Sequence, residues 1–445
     1  MKLGLSVVLV ALAALGEAQG PQKCTSLRVR RNAASLSAQE WQSISTMLQR
    51  MDQDGWLSRF GASHDRLFSR VHGNTCFFPF HRRYVLEFEN IARNYDPNFV
   101  VPYWDATQSF REPANDPLLA SGILGANGQQ GDNCVTNGIQ ANMQFTYPNA
   151  HCLRRIYNQG STIGSWYAPE IISSYLQADT TLAKFREDIE YSIHGAVHLG
   201  MGGEMNSGYA AQDFSFMIHH ANLDRLWWDW QNTHGSFLMY DGPGPGNSPA
   251  SLSDIIPEDD SVPMGGSSVE SVMVLGYGNV CYTYDTSRSP PEAYPAGQAG
   301  ANNAAPPPNA QPAQQQSRPE GTSLAAAAAD PVLSSSSNPQ SRALESSRLQ
   351  NSLGADIMNR FFPGLGSSLF SLKRRSYKEE KPAPEAPTAA AAADCDSHQP
   401  IPFPPRLNPD WIHMHGFDPE RVEMFHKNAC DLVELLNNST YISPY

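Results

Sequence analysis

Long apolar stretches are absent from this sequence beyond its first residues. A helix needs about 20 apolar residues to span a bilayer, and the one clear run, Leu3–Leu15, is shorter. Lys2 precedes this run and small or polar residues follow it, a pattern typical of a secretory signal peptide over residues 1–20. We therefore expect a soluble, secreted protein with no membrane partner.

Positive charge is scarce as well. The chain has 31 Lys and Arg against 44 Asp and Glu, which gives a formal net charge of −13. Proteins bind nucleic acids and anionic membranes through basic surfaces, so we expect neither as a partner. No pattern in the sequence indicates an oligomeric state.

Metal-binding cysteine motifs are also missing. None of the seven cysteines lies in the CxxC-type spacing of zinc sites, which argues against a cysteine-bound metal. Their number fits an oxidising compartment, but the sequence leaves their pairing open, and the odd count leaves at least one thiol free or modified. They are Cys24, Cys76, Cys134, Cys152, Cys281, Cys395 and Cys430.

Composition divides the rest of the chain into three segments. Residues 21–284 carry helical apolar periodicity, broken by a loop-rich stretch at about 105–165, and predict a mainly α unit. Residues 285–399 are dominated by Pro, Ala, Gln, Ser and Asn, which predicts a largely disordered insertion. Residues 400–445 regain an apolar helical face, and we expect them to pack back on the first unit.

One part of the insertion differs from its surroundings. Leu349, Leu353, Ile357 and Phe361 lie four residues apart, which predicts a short amphipathic helix at about 345–362. A transient helix within a linker is the simpler interpretation, and a docked functional element is the alternative.

The most informative residues are the histidines. His194 and His198 lie four apart in a predicted helix, so both side chains leave one face. Gly195 follows His194 where the zinc-protease motif HExxH has Glu, which argues against a metalloprotease. Alone, this pair is as consistent with two structural histidines that have hydrogen-bond partners as with a metal site.

Two further groups raise the case for metal. His219 and His220 lie in a bulky apolar helix, where buried imidazoles need partners. His64, His72 and His81 form another set, spaced by eight and nine residues. Two triplets of imidazoles without nearby cysteine pairs favour copper. Three ligands per ion leave each copper a free position for O2.

Several segments resemble the tyrosinase/catechol oxidase superfamily, whose members hold a type-3 dicopper centre. The resemblance covers about residues 24–284, and the segment at 408–437 is similar to the C-terminal part of short fungal members. The segments that carry it are His64-x7-His72, GNTCFFPFHRR at 73–83, VPYWD at 101–105, His194-x3-His198, IHHANLDRLW at 218–227 and CYTY at 281–284.

The resemblance implies a fold and a ligand set. It implies a mainly α fold, a four-helix bundle holding a dicopper site, with long loops and few short strands. It makes His64, His72 and His81 the ligands of the first copper. It makes His194, His198 and His220 the ligands of the second, and His219 a neighbour. The histidines that match no ligand position are His151, His234, His398, His413, His415 and His426.

The implied activity is oxidation of o-diphenols to o-quinones with reduction of O2 to water. Family members that hydroxylate monophenols have Asn after the first ligand of the second copper, whereas this chain has Gly195. Glu190 matches the position of a carboxylate that holds a phenol-deprotonating water, and is therefore the candidate catalytic residue. A haemocyanin-like protein that binds O2 without turnover is the alternative.

The resemblance raises two smaller questions. Some members cross-link a cysteine to the second ligand of the first copper, but Cys76 follows His72, so a disulfide or a free buried thiol is the preferred interpretation. Some members are latent, with a C-terminal element over the copper site. The helix ending at Phe361-Phe362, followed by Lys373-Arg374-Arg375, is our candidate for that element.

Overall fold

The computed structural model describes residues 21–295, 348–365 and 399–445. The predicted signal peptide, the basic triplet at 373–375, Cys395 and His398 lie outside these ranges. No helix among the described residues combines the length and the apolar character needed to cross a membrane.

Helices dominate the described chain. The bounds of the α-helices are α1 Ala38–Gln53, α2 Trp56–Val71, α3 Phe77–Ala92, α4 Pro117–Ala120, α5 Pro169–Ala178, α6 Leu182–Ile189, α7 Gly195–Met201, α8 Phe214–His234, α9 Ala355–Phe361, α10 Pro409–Met414 and α11 Pro419–Asn437. A π-helical turn, Glu190–His194, joins α6 to α7.

The centre of the molecule is a bundle of four helical segments, namely α2, α3, the α6–α7 unit and α8. Every residue of α8 from Phe214 to Gln231 is buried, and most of α3 is buried as well. Helices that are buried on all sides lie in the middle of a core. The predicted mainly α four-helix bundle is confirmed.

Short strands close the bundle at one end. β1 (Arg28–Arg30) pairs in parallel with β4 (Tyr282–Tyr284). Beside this pair, the disulfide Cys24–Cys281 links the residues that precede the two strands. β2 (Gln144–Phe145) pairs antiparallel with β3 (His151–Cys152) in the long loop region. There the disulfide Cys134–Cys152 closes a short loop.

A buried ion-pair network lies beneath the bundle. Asp224 of α8 accepts hydrogen bonds from Arg82, Tyr282 and Tyr284, and Arg30 lies 3.4 Å from the same carboxylate. Arg225 pairs with Asp105 and Asp229. Buried charges are tolerated only when they are paired and hydrogen-bonded, so this network fixes how α8 meets α3 and the strands.

The described part of the insertion is docked. Leu349, Phe362 and Leu365 are fully buried, and α9 packs on α5. Arg360 and Phe361 line a cleft together with residues of α5 and α11. The apolar face of residues 348–365 is covered in the structure, which favours the alternative of a docked element over a transient linker helix.

Candidate metal centre

The six histidines implied by the resemblance come together in two groups of three. One group is His64, His72 and His81, and within it the candidate ligand nitrogens all lie within 4.8 Å of one another. The other group, which meets the same distance limit, is His194, His198 and His220. All six side chains are buried, and no other such group occurs among the described residues.

Each helix of the bundle contributes to this arrangement. His64 lies within α2, His72 directly follows α2, and His81 lies in the first turns of α3. His194 ends the π-helical turn, and His198 lies in α7. His220 comes from α8. Ligands that are far apart in the sequence thus meet because the bundle helices pack against one another.

Backbone carbonyls fix the orientation of five of the rings. The Nδ1 atoms of His72, His81 and His194 face the carbonyl four residues earlier, at 3.0, 2.8 and 3.3 Å. Those of His64 and His198 face the carbonyls of Gly208 and Met205. A carbonyl only accepts, so Nδ1 carries the proton and Nε2 presents its lone pair.

The lone pairs converge. The Nε2 atoms of His64 and His81 are 3.5 Å apart, and those of His198 and His220 are 3.4 Å apart. The rings of His81 and His220 stack at 4.0 Å between centroids, so the two groups share one chamber. Lone pairs that converge so closely repel one another unless a cation lies between them.

Burial keeps these imidazoles neutral. It lowers the pKa of His64 and of His198 to about 4, and it lowers the pKa of the other four well below the ordinary value. Neutral imidazole is the form that binds metal. Nε2 of His194 has no hydrogen-bond partner although it is buried. An all-imidazole donor set suits copper, and no thiolate competes.

Aromatic side chains pack around the chamber. Phe216 lies 4.8 Å from the His64 ring and 4.2 Å from the His220 ring. Phe77 lies 4.7 Å from the His81 ring and 4.9 Å from the His194 ring. His219 is fully buried and stacks at 6.0 Å from His194, as a neighbour outside both groups. These contacts hold the ligand rings and exclude water.

Glu190 lies beneath the ligands with both carboxylate oxygens engaged. Oε1 accepts from the backbone N–H of Gly73 at 2.8 Å, and Oε2 pairs with Arg186 at 2.8 Å. Burial raises the pKa of Glu190 to about 7, although Arg186 acts in the opposite direction. Glu190 therefore connects the turn after His72 with the helix that leads to His194.

The C-terminal part of the chain covers the chamber. Trp411 lies 5.3 Å from the His198 ring and 6.0 Å from the His194 ring. His415 lies 5.0 Å from the His72 ring and 6.0 Å from the His194 ring. Sequence spacing offered no signal for either residue, because their approach depends on how the chain folds back after the insertion.

This placement corrects one prediction. We predicted that the helix ending at Phe361-Phe362 covers the site, but that segment packs on α5. The segment in contact with the ligand rings is Leu407–Phe417. Its apolar side chains pack on Tyr191, in the turn that carries His194. The covering element thus follows the insertion instead of lying within it.

The remaining candidates lie elsewhere. His151, His234, His413 and His426 belong to neither ligand group. Cys76 forms no disulfide, and burial raises the pKa of its thiol to about 12. A free buried thiol, one of the two preferred interpretations, is what the structure has at Cys76.

Comparisons with known proteins agree with the resemblance found in the sequence. A family model described as the common central domain of tyrosinase matches residues 38–233. Tyrosinase ustQ of Aspergillus flavus is 30% identical over 294 residues, which cover 59% of this chain and 80% of that protein. The tyrosinase of Streptomyces antibioticus is 29% identical, with coverage of 50% and 89%.

A solved structure supports the fold. A polyphenol oxidase from Thermothelomyces thermophila superposes with a TM-score of 0.50 at 21% identity, over 59% of this chain and 90% of that one.

Proposed function

Because this chain belongs to the tyrosinase family, we propose that it oxidises o-diphenols to o-quinones and reduces O2 to water. The protein is an oxidoreductase of this family with a dinuclear copper centre. The observation that carries the proposal is the pair of buried triads with neutral, convergent Nε2 atoms. We assign His64, His72 and His81 to one copper, and His194, His198 and His220 to the other.

The reaction oxidises two diphenols for each O2 that is reduced. Each diphenol loses two electrons and two protons, and the products are two quinones and two waters. The copper pair, when bound, supplies the redox chemistry by binding O2 and taking up these electrons. The side chains around it hold the ligand rings, keep them neutral and exclude bulk water.

Substrate access requires movement of the C-terminal segment. The six ligand side chains are at most 4% exposed, and Trp411 and His415 lie against those that face outward. We propose that a phenol reaches the site on the side of His194 and His198 when the segment Leu407–Phe417 moves away. Apolar contacts with Tyr191 and the ion pair of Arg421 with Glu187 hold this segment in place.

Glu190 has two candidate roles. The resemblance makes it the residue that holds a water for deprotonation of the phenol. Its contacts favour a positioning role, because both carboxylate oxygens are already bound, by Gly73 and by Arg186. We propose that Glu190 acts mainly by holding the turn of His72. Gly195 follows His194 at the position where hydroxylating family members have Asn. The absence of that Asn and the positioning role of Glu190 together favour o-diphenol oxidation over monophenol hydroxylation.

One observation favours the alternative of O2 binding without turnover. The covered site would admit O2 more readily than a phenol, as expected for an oxygen carrier. An oxidase reduces the bound O2 to water, whereas a carrier releases it unchanged. The two functions can therefore be distinguished in solution.

The test is O2 uptake by the copper-loaded full chain with catechol, and separately with phenol. We expect uptake with catechol at a rate proportional to bound copper, and little or none with phenol. The variant H220A, which removes one proposed ligand, is expected to lose copper and uptake together. Reversible O2 binding without quinone formation would establish the carrier function instead, and the absence of both would overturn the proposal.

We also propose that the protein is secreted. The apolar run at Leu3–Leu15 and the two disulfides support export to an oxidising compartment. Expression of the full chain in a eukaryotic host should release a product without residues 1–20 into the medium. Retention inside the cell with an intact N-terminus would contradict this.

A further inference from the structure

One histidine outside both triads is built like the proposed ligands. Nδ1 of His415 lies 2.9 Å from the carbonyl of Trp411, four residues earlier. The same contact orients His72, His81 and His194. As in those residues, the carbonyl fixes the proton on Nδ1 and leaves the lone pair on Nε2.

The free nitrogen of His415 is buried without a partner. The residue is 4% exposed, and its Nε2 forms no hydrogen bond among the described residues. Nε2 of His194 is in the same condition. A buried nitrogen without a partner is costly, so this atom is expected to have a partner when the centre is loaded.

The position of the ring indicates which partner. His415 lies 5.0 Å from His72, which belongs to one triad, and 6.0 Å from His194, which belongs to the other. Rings within one triad lie at similar separations, for example 5.2 Å between His64 and His72. His415 is therefore at the junction of the two triads, on the side covered by the C-terminal segment.

We propose that His415 supplies a seventh imidazole to the copper pair. This proposal rests on the ligand assignment made above, but not on the oxidase activity. His415 is outside both groups in which the ligand nitrogens lie within 4.8 Å of one another. It is therefore an additional ligand, weaker than the six. It comes from a short helix beside a turn at Gly416, whereas the six come from the bundle.

A ligand of this kind would compete with other molecules for the loaded centre. Small anions and phenols must displace His415, whereas the six bundle ligands stay in place. The C-terminal segment thus acts on the centre through a specific nitrogen, in addition to covering it. Removal of that nitrogen without loss of the cover should ease the binding of small ligands.

The variant H415L tests this separation of roles. Leu keeps an apolar side chain of similar reach, so the segment can still cover the chamber, but it offers no nitrogen. The matched control is H413L, because His413 is exposed and two residues away on the same helix end. Copper content is measured first, and only proteins with both coppers bound are compared.

The readout is azide binding to the cupric protein, followed by its charge-transfer absorption. We expect azide to bind H415L about tenfold more tightly than the parent protein, and H413L to match the parent. The ligand-field band of H415L should also differ from that of the parent protein before azide is added, because the donor set has changed.

Unchanged azide affinity and an unchanged spectrum in H415L would overturn the proposal and leave His415 as a covering residue only. If H415L does not fold, H415Q replaces it, since an amide binds cupric ion much more weakly than imidazole. Failure of the proposed oxidase function would appear separately, as copper-loaded parent protein without O2 uptake. Azide titration is independent of that result.

Discussion

The backbone N–H of Gly73 donates a hydrogen bond to Glu190, with 2.8 Å between N and Oε1. Gly73 directly follows the proposed ligand His72, and it takes a φ of +69°, which favours glycine. Arg186 binds the other oxygen of Glu190 and also contacts Glu187, which pairs with Arg421 of α11. A chain of contacts, buried except at Arg421, therefore links the first triad, the turn before His194 and the C-terminal helix.

Replacement of Glu190 by Gln should weaken copper binding. Gln can still accept from Gly73, but Arg186 loses one of its two carboxylate partners and keeps only Glu187. We expect the apparent copper affinity to fall about 10- to 100-fold, as for other residues that orient metal ligands. Competition with a chromophoric chelator measures it.

The control for this variant is E187Q, which removes a neighbouring carboxylate that does not touch Gly73. Its copper affinity should change less than that of E190Q. If E190Q instead retains both coppers and loses turnover alone, Glu190 acts on the substrate and the positioning role is wrong.

Gly195 leaves room for the C-terminal segment. A Cβ at this position would lie 2.5 Å from Cδ2 of Leu407 and 3.1 Å from Nε1 of Trp411. The variant G195A should therefore loosen the segment Leu407–Phe417, at a cost of about 1–3 kcal/mol for overpacking. Hydrogen exchange of the amides in this segment should become at least about tenfold faster.

Gly354 offers a matched control for that experiment. A Cβ there meets nothing within 4 Å, so G354A should leave exchange in the C-terminal segment unchanged. Equal exchange in G195A and the parent protein would mean that Leu407 and Trp411 adapt without release of the segment.

Local pattern and resemblance together identified the six proposed ligands, because helical spacing places His194 and His198 on one face and the family motifs name the rest. His415 could not be identified in this way. Its local pattern is only that of a histidine near the end of a short helix, and its role depends on contacts with His72, more than 300 residues earlier in the chain. Disulfide pairing was out of reach for the same reason.

The carboxylate of Asp224 should be one of the largest single contributors to stability. The variant D224N removes a negative charge that compensates the buried positive charges of Arg30 and Arg82. We expect the free energy of unfolding to fall by about 3–5 kcal/mol. The exposed pair of Arg406 with Glu423 is the comparison, and E423Q should cost at most about 1 kcal/mol.

Urea unfolding of the copper-free proteins, followed by circular dichroism, measures both variants. Copper is removed so that changes in metal affinity do not contribute. A loss in D224N no larger than the loss in E423Q would mean that the buried network adds little net stability.

The segment Asn437-Asn438-Ser439-Thr440 contains two overlapping N-glycosylation motifs, which begin at Asn437 and at Asn438. We expect the two motifs to be used unequally. The side-chain amide of Asn437 forms two hydrogen bonds with the backbone of Ile401, whereas Asn438 is exposed at the end of α11. In protein secreted from a eukaryotic host, we expect N438Q to remove the glycan mass and N437Q to keep it. The reverse pattern by mass spectrometry would contradict this.

We expect Asp52 to make the free energy of unfolding depend on pH. It lies in the last turn of α1, where a negative charge also faces the negative end of the helix dipole. Burial raises its pKa from 3.8 to about 6. Because the folded-state value is the higher one, its favourable contribution is complete below about pH 4 and is lost as the pH rises through about 6.

The variant D52N removes this dependence. At pH 7.5 it should be more stable than the parent by about 1–2 kcal/mol, after allowance for the partial exposure of Asp52. The difference should become several-fold smaller at pH 4, since the parent carboxyl is then protonated in the folded state and about half protonated in the unfolded state. Urea unfolding of the copper-free proteins between pH 4 and 7.5 measures it. A stability difference that is constant over this range would mean that Asp52 titrates at its ordinary pKa in the folded protein.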